Sequence, residues 1–207
     1  MILHAVGGLC NRLRAMLGHL RAHGPIEVRW DTDDPAISFA HFLDVFDPIP
    51  GITFTSSPTW DVEAWAPPQG ARCDWSLLKP RSHVLARVAD LRMPNYAAMH
   101  IRRTDHRVHA EAAGVYTSDE EFRAWAASFE RIYLATDNGE TQKLFPHAVV
   151  NRVFSNPAHQ AERDRAKAGT LADAVVDLYM CIHAAHFKGS GYSTFTETIE
   201  EMRDGLR

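Results

Sequence analysis

Residues 96–105 read Tyr96-Ala97-Ala98-Met99-His100-Ile101-Arg102-Arg103-Thr104-Asp105, a short apolar run that stops at two adjacent arginines. A strand ending this way places the arginines at the carboxyl edge of a sheet, where open α/β folds bind their ligands. Planar guanidinium forks suit phosphate oxygens, so the expected ligand is an anion, most simply a diphosphate. Successive side chains of a strand point to opposite faces, so one of Arg102 and Arg103 reaches the cleft while the other packs or pairs outside it. Asp105 is placed to orient the inward arginine. The competing reading is a surface salt-bridge cluster.

An α/β rhythm extends to both sides of this stretch. Toward the N-terminus, an apolar strand at residues 2–6, a Gly7-Gly8 turn, a helix with the stripe Leu9, Leu13, Met16, Leu17 and Leu20, and a strand at 26–30 form a βαβ unit. A short helix at 39–46 and a strand at 52–55 follow, then an irregular connection over 56–74 and a weak helix at 80–91. Pro94-Asn95 marks a boundary between halves 1–94 and 95–207. Beyond it, strands at 96–101, 132–135 and 149–154 alternate with helices at 119–129, 140–145 and 171–184; an extended piece at 186–189 and a helix at 193–206 close the chain. The pattern predicts an α/β fold of mostly parallel sheets, two Rossmann-type halves in a small bilobal arrangement, with one continuous sheet as the alternative.

Composition narrows the function classes. At 207 residues, 45% hydrophobic and 23% charged, the chain suits a soluble globular protein with a sizeable core. A net charge of −4 and a pI near 6.3 supply no global basic field, so nucleic acid is not an expected partner. Cys10, Cys73 and Cys181 are odd in number and widely spaced, which argues against a disulfide framework and a structural zinc site and favours a reducing compartment. The opening run meets its glycine pair too soon for a signal peptide, and no stretch of ~18 apolar residues occurs. The reading is therefore cytoplasmic, without a membrane span. The histidines set no two ligands on one helical face with a supporting acid, and Asp31-Thr32-Asp33, although of the DxD form that holds divalent cations, reads as an aspartate-rich turn. No metal is expected.

Three further turns carry candidate chemistry. Gly7-Gly8-Leu9-Cys10-Asn11-Arg12 brings backbone close to a ligand at a helix N-terminus, which makes Gly7, Gly8, Asn11 and Arg12 candidates for an anion. A dinucleotide site is the rival, because Asp31 falls about 20 residues on, although the turn is not GxGxxG; a plain capped turn fits equally. Ile132-Tyr133-Leu134-Ala135-Thr136-Asp137-Asn138 ends a strand with a carboxylate that can accept both N1–H and the exocyclic amine of guanine, or cap the next helix. In Ser190-Gly191-Tyr192-Ser193-Thr194, Ser193 or Thr194 can cap a helix, bind phosphate, or do both.

Taken with Ala172-Asp173-Ala174-Val175-Val176-Asp177-Leu178 and Ala185-His186-Phe187, these motifs resemble fucosyltransferases of the alpha-1,6 type and their bacterial nodulation relatives, over roughly residues 96–205 plus the opening turn. The resemblance implies a GT-B-like fold and transfer of fucose from GDP-fucose to a hydroxyl acceptor with inversion and without a metal. It assigns Arg102 to the donor diphosphate, His100 and Asp137 to guanine, and Ser193 with Thr194 to phosphate, while Arg103 and Asp105 complete the arginine motif. Three departures stand out: His106 replaces a lysine, Phe195 replaces a glutamine, and the EAA run, Glu111-Ala112-Ala113, is displaced by one residue.

The expected activity is that of a GDP-sugar-dependent glycosyltransferase, with the first half on the acceptor side and the second on the donor side. Arg102 stabilises the leaving group, and Glu111, His106 or His109 removes the acceptor proton, Glu111 being preferred for its EAA context. The partners are then a nucleotide sugar and a glycan or other hydroxyl acceptor. The alternative is a GDP- or GDP-sugar-binding protein without transferase activity, and a third reading is an NAD-type oxidoreductase built on Gly7 and Asp31.

Overall fold

A computed structural model describes residues 1–33, 40–103, 107–152 and 170–205. Strand β1 (Ile2–Ala5) pairs in parallel with β2 (Ile26–Arg29) on one side and β4 (Val62–Ala64) on the other, and β3 (Ile52–Thr55) extends the sheet beyond β2. In the second sheet β5 (Ala97–Ile101) lies between β6 (Ile132–Thr136) and β7 (His186–Gly189), again all parallel. The α/β class with parallel sheets is as the pattern predicts. Two sheets, not one continuous sheet, carry it.

Apolar patterning explains the placement. All five residues of β5 are buried, as a central parallel strand with both faces covered requires. Helices α1 (Leu9–His23), α2 (Ser82–Leu91), α6 (Leu171–His183) and α7 (Thr194–Asp204) supply the layer between the sheets, α1 packing on α7 and α2 on α6. One hydrophobic core therefore runs from Leu3, Leu13 and Met16 through Val84 and Val88 to Tyr96, Val175, Val176 and Ile199. On the outer face of the second sheet, Met99, Ile101 and Leu134 pack with Phe122 and Ala126 of α4 (Asp119–Ala126) and Phe145. Two tyrosines tie α6 into place, Tyr96 donating to Met180 O at 2.6 Å and Tyr179 to Leu78 O at 3.1 Å.

Short elements depart from the expected boundaries. β4 lies inside the stretch read as irregular, and the six-residue α3 (Arg107–Ala112) falls where no helix is expected; elements this short carry too few residues to display a period and are set by tertiary pairing. Of the strand expected at 149–154, the described part contributes one bridge, Val149 beside Tyr133. The helix expected at 39–46 is a single tight turn, Phe42–Asp44, capped by His41, and Phe39 lies outside the described residues. Helix α5 (Gly139–Leu144) follows β6. Among the described residues no helix is long and apolar enough to cross a membrane.

Candidate functional site

The carboxyl ends of β1, β5 and β6 meet around a cavity of about 300 Å³. Its lining includes Gly8, Leu9, Cys10 and Asn11 from the opening turn, His100 and Arg102 from β5 and its extension, Thr136 and Asp137 after β6, and Thr194 and Phe195 from α7. Gln142, Asn151, Arg152, Thr170, Asp173 and Asp177 surround the remainder. The cavity thus draws on both sheets.

The opening turn owes its shape to Gly7, at φ 83°, where a Cβ would lie 2.8 Å from Asn11 Nδ2. Arg12, expected at the ligand, braces the turn from below. It is 1% exposed, its Nε donates to Gly7 O at 2.8 Å and an Nη donates to Asp31 O at 3.2 Å. Its guanidinium also stacks 5.1 Å from the centre of the Trp30 ring, so Arg12 is absent from the cavity lining. Asp31 is turned to other partners, accepting from Arg29 Nε at 2.7 Å and lying 2.9 Å from His4 Nε2. Arg29, chiefly through its hydrogen bond, holds this carboxyl below the ordinary range. Burial pushes the Cys10 thiol up to about 12, so it lines the cavity uncharged.

Capping differs among the helices of the chain. Helices α4, α5 and α6 begin with side-chain caps from Ser118, Asn138 and Thr170, whereas α1, α2 and α7 start at Gly8, Arg81 and Ser193 with no side-chain cap; of these three, α1 and α7 have first-turn residues in the cavity lining. The leading N–H groups and dipoles of α1 and α7 suit an anion, and Arg102 is also a lining residue. Thr194 is at this wall, but Ser193 lies beneath it, 2% exposed and outside the lining. Gly7 likewise shapes the turn without lining the cavity.

The two arginines divide as strand alternation requires. Arg102 shares a face with His100 and lines the cavity; its N–H donates to Ser190 Oγ at 3.1 Å, while Ser190 N–H donates to His100 O at 2.9 Å. Arg103 turns away and is not a lining residue. Its Nη donates to Asp119 Oδ1 at 2.7 Å and Thr117 O at 3.0 Å, and the guanidinium stacks 5.1 Å from the Tyr116 ring. Arg103→Ala is therefore expected to cost about 2 kcal/mol of stability in urea unfolding, since its side chain is 9% exposed and leaves Asp119 unpaired, while nucleotide affinity changes less than about threefold.

Asp137 lines the cavity, and its Oδ1 accepts from Arg103 N–H at 3.0 Å. The helix-cap reading passes to Asn138, whose Oδ1 accepts from Thr141 N–H at 2.9 Å. Asp177 is a site residue that sequence reasoning missed. It lies in the lining, accepts a hydrogen bond from Tyr133 Oη, and burial pushes its carboxyl up to about 7. The available signal was a carboxylate on an otherwise apolar helical face, Val175-Val176-Asp177-Leu178.

Glu111 does not line the cavity. It is exposed on α3 and paired with Arg107 Nε at 2.7 Å. Helix α3 nevertheless adjoins the 190–194 turn: His109 stacks on Tyr192 at 6.3 Å, and a Cβ on Gly191 would lie 2.3 Å from Val115 O. Asp105 and His106 lie outside the described residues.

Comparison with known structures gives the class of fold first. The NodZ alpha-1,6-fucosyltransferase, in a crystal soaked with GDP-fucose, matches with a TM-score of 0.59 at 14% identity, covering 97% of this chain and 92% of that one. Fucosyltransferase NodZ from Bradyrhizobium gives 0.58 at 14% identity, covering 96% and 92%. The chain has the GT-B-like fold of the NodZ fucosyltransferases. Among curated proteins, GDP-fucose protein O-fucosyltransferase 2 of Caenorhabditis elegans is 29% identical over 136 residues, taking in 63% of this chain. The match spans about 30% of that relative's length. No protein-family model matches the chain. The NodZ structures are of the nodulation type that the motifs resemble, and the curated relative is a fucosyltransferase of another type.

Proposed function

We propose that the chain binds GDP-fucose in this cavity and transfers fucose to a hydroxyl acceptor with inversion. The observation that carries the reading is the make-up of the cavity lining: Arg102 and the first turns of two helices without side-chain caps, together with a half-buried carboxylate, Asp177. Arg102 and the helix N–H groups suit a diphosphate, and the carboxylate suits the N–H donors of guanine. Asp137, whose Oδ1 accepts from Arg103 N–H, lines the same cavity and offers guanine the carboxylate that the resemblance assigns to it, beside Asp177. The fucosyltransferase relatives, a NodZ crystal soaked with GDP-fucose and a GDP-fucose protein O-fucosyltransferase, support the same donor.

In this reading the acceptor oxygen forms a bond to the anomeric carbon from the face opposite the departing diphosphate. The bond between that carbon and the phosphate oxygen breaks, and GDP leaves with its growing charge met by Arg102 and the helix N–H groups. Arginine supplies this positive charge, so the proposal requires no metal or cofactor besides the donor. Half 1–94 provides the acceptor side and half 95–207 the donor side. Glu111, on the helix beside the 190–194 turn, accepts the acceptor proton after parting from Arg107.

A GDP-sugar-binding protein without transfer is the second reading, favoured by the exposure of Glu111 and its pairing with Arg107. Incubation with GDP-fucose and a panel of simple hydroxyl acceptors, followed by chromatography of the products, separates the two. Transfer or donor hydrolysis supports the enzyme; GDP binding without either supports the second reading. Glu111→Gln is expected to keep donor affinity within about twofold while turnover falls roughly 100-fold. Wild-type turnover in that variant moves the base elsewhere.

A further inference from the structure

In the cavity wall the imidazole of His100 stacks on Phe195, ring centres 4.6 Å apart, and its Nδ1 lies 2.9 Å from Thr196 Oγ1. Both partners are buried, His100 at 8% and Thr196 at 5% exposure. Thr196 reaches the ring because the neighbouring strand carries no side chain at that level. Gly189 stands opposite His100 in the β5–β7 register, and a Cβ there would lie 2.2 Å from Thr196 Cγ2 and 2.6 Å from its Oγ1.

A neutral imidazole carries one ring proton, and the hydrogen bond at one nitrogen decides where it resides. His100 Nδ1 is the one hydrogen-bond partner of the Thr196 hydroxyl among the described residues. If Nδ1 held the proton, the hydroxyl hydrogen would be buried with no acceptor, an arrangement native interiors avoid. The hydroxyl therefore donates to Nδ1, which leaves the proton on Nε2.

We infer that Thr196, admitted by Gly189, is a positioning residue that holds His100 as its Nε2–H tautomer, while Phe195 fixes the plane of the ring. The ring proton of His100, a residue of the cavity lining, is then a donor at Nε2. Such a donor matches the O6 acceptor of guanine and opposes the N6 amino group of adenine. The consequence for base choice rests on the cavity being a GDP site; the tautomer does not. Phe195, which replaces the glutamine of the resembled motif, thereby acquires a role of its own.

Long-range proton–nitrogen correlation spectra of the ¹⁵N-labelled full chain, at about pH 8 where an ordinary imidazole is neutral, test this directly. A His100→Gln spectrum assigns the His100 signals. The wild type and Thr196→Ser are expected to show an unprotonated Nδ1 and a protonated Nε2. Thr196→Val and Gly189→Ala are expected to show a mixture, with the preference for GDP over ADP reduced about fivefold in calorimetry. A protonated Nδ1 in the wild type, or an unchanged tautomer in Thr196→Val, overturns the inference. Should Thr196→Val fail to fold, the wild-type and Thr196→Ser spectra still decide it. A wild type that holds the Nε2–H tautomer but binds no GDP supports the positioning role and overturns the nucleotide reading.

Discussion

Arg102→Lys lowers GDP affinity roughly 30-fold, although it conserves the charge, because an ammonium is a point donor and cannot replace a planar two-pronged contact with diphosphate oxygens. Arg102 is placed for that contact by its backbone, whose N–H is anchored to Ser190 Oγ on the neighbouring strand's extension. The substitution leaves this anchor intact, so the fold is preserved and calorimetry reads the lost fork alone. Arg102→Ala should weaken GDP further and lower transfer more than binding, since the leaving-group charge grows in the transition state. Equal GDP affinity in a folded Arg102→Lys protein removes this residue from the phosphate end of the cavity.

The second large effect belongs to Asp177, where stability and binding are expected to move in opposite directions. Burial raises its carboxyl from 3.8 to about 7, so the native state holds its proton more tightly than the unfolded chain. Stability from this group is therefore complete below about pH 4, is lost progressively as pH rises to about 7, and is level above that. The loss amounts to at most about 4 kcal/mol. Asp177→Asn removes the slope, so at pH 8 the variant should unfold at higher denaturant than the wild type while the two converge near pH 4. GDP affinity should fall roughly 50-fold, because an amide replaces one acceptor with a donor facing the N–H groups of guanine. The wild type should also bind GDP more tightly as pH rises from 6 to 8, when the carboxylate forms; the variant should not. Unchanged discrimination between GDP and IDP in Asp177→Asn would assign the residue to packing with Tyr133 alone.

Much of the architecture was legible because apolar runs changed character abruptly at strand ends. The stop at Arg102 and Arg103 marked a carboxyl edge, and strand alternation required the arginines to part. Which one turned inward was decided by a residue 16 positions on, Asp119, which captures Arg103. Arg12 illustrates a different limit. A basic residue one turn into a helix reads as a ligand group, yet its long side chain folds back to satisfy Gly7 O and Asp31 O, carbonyls whose positions depend on the turn and on β2. Asp177 sits among valines and leucine with the pattern of a core helix, and its place in the cavity lining arises only when α6 packs against β6, where Tyr133 donates to it. Short pieces such as β4 and α3 were hidden because pairing and packing, not local sequence, create them.

The central claim is that the cavity is a GDP site with its phosphate end at Arg102. A thermal-shift panel of GDP, GDP-fucose, GDP-mannose, UDP-glucose and NAD, at equal concentrations with the full chain, tests it most directly, since a ligand that prefers the native state raises the melting temperature. GDP and GDP-fucose are expected to stabilise most, and UDP-glucose and NAD to leave the transition in place. A shift led by NAD or UDP-glucose, or no shift with either guanine nucleotide, contradicts the account.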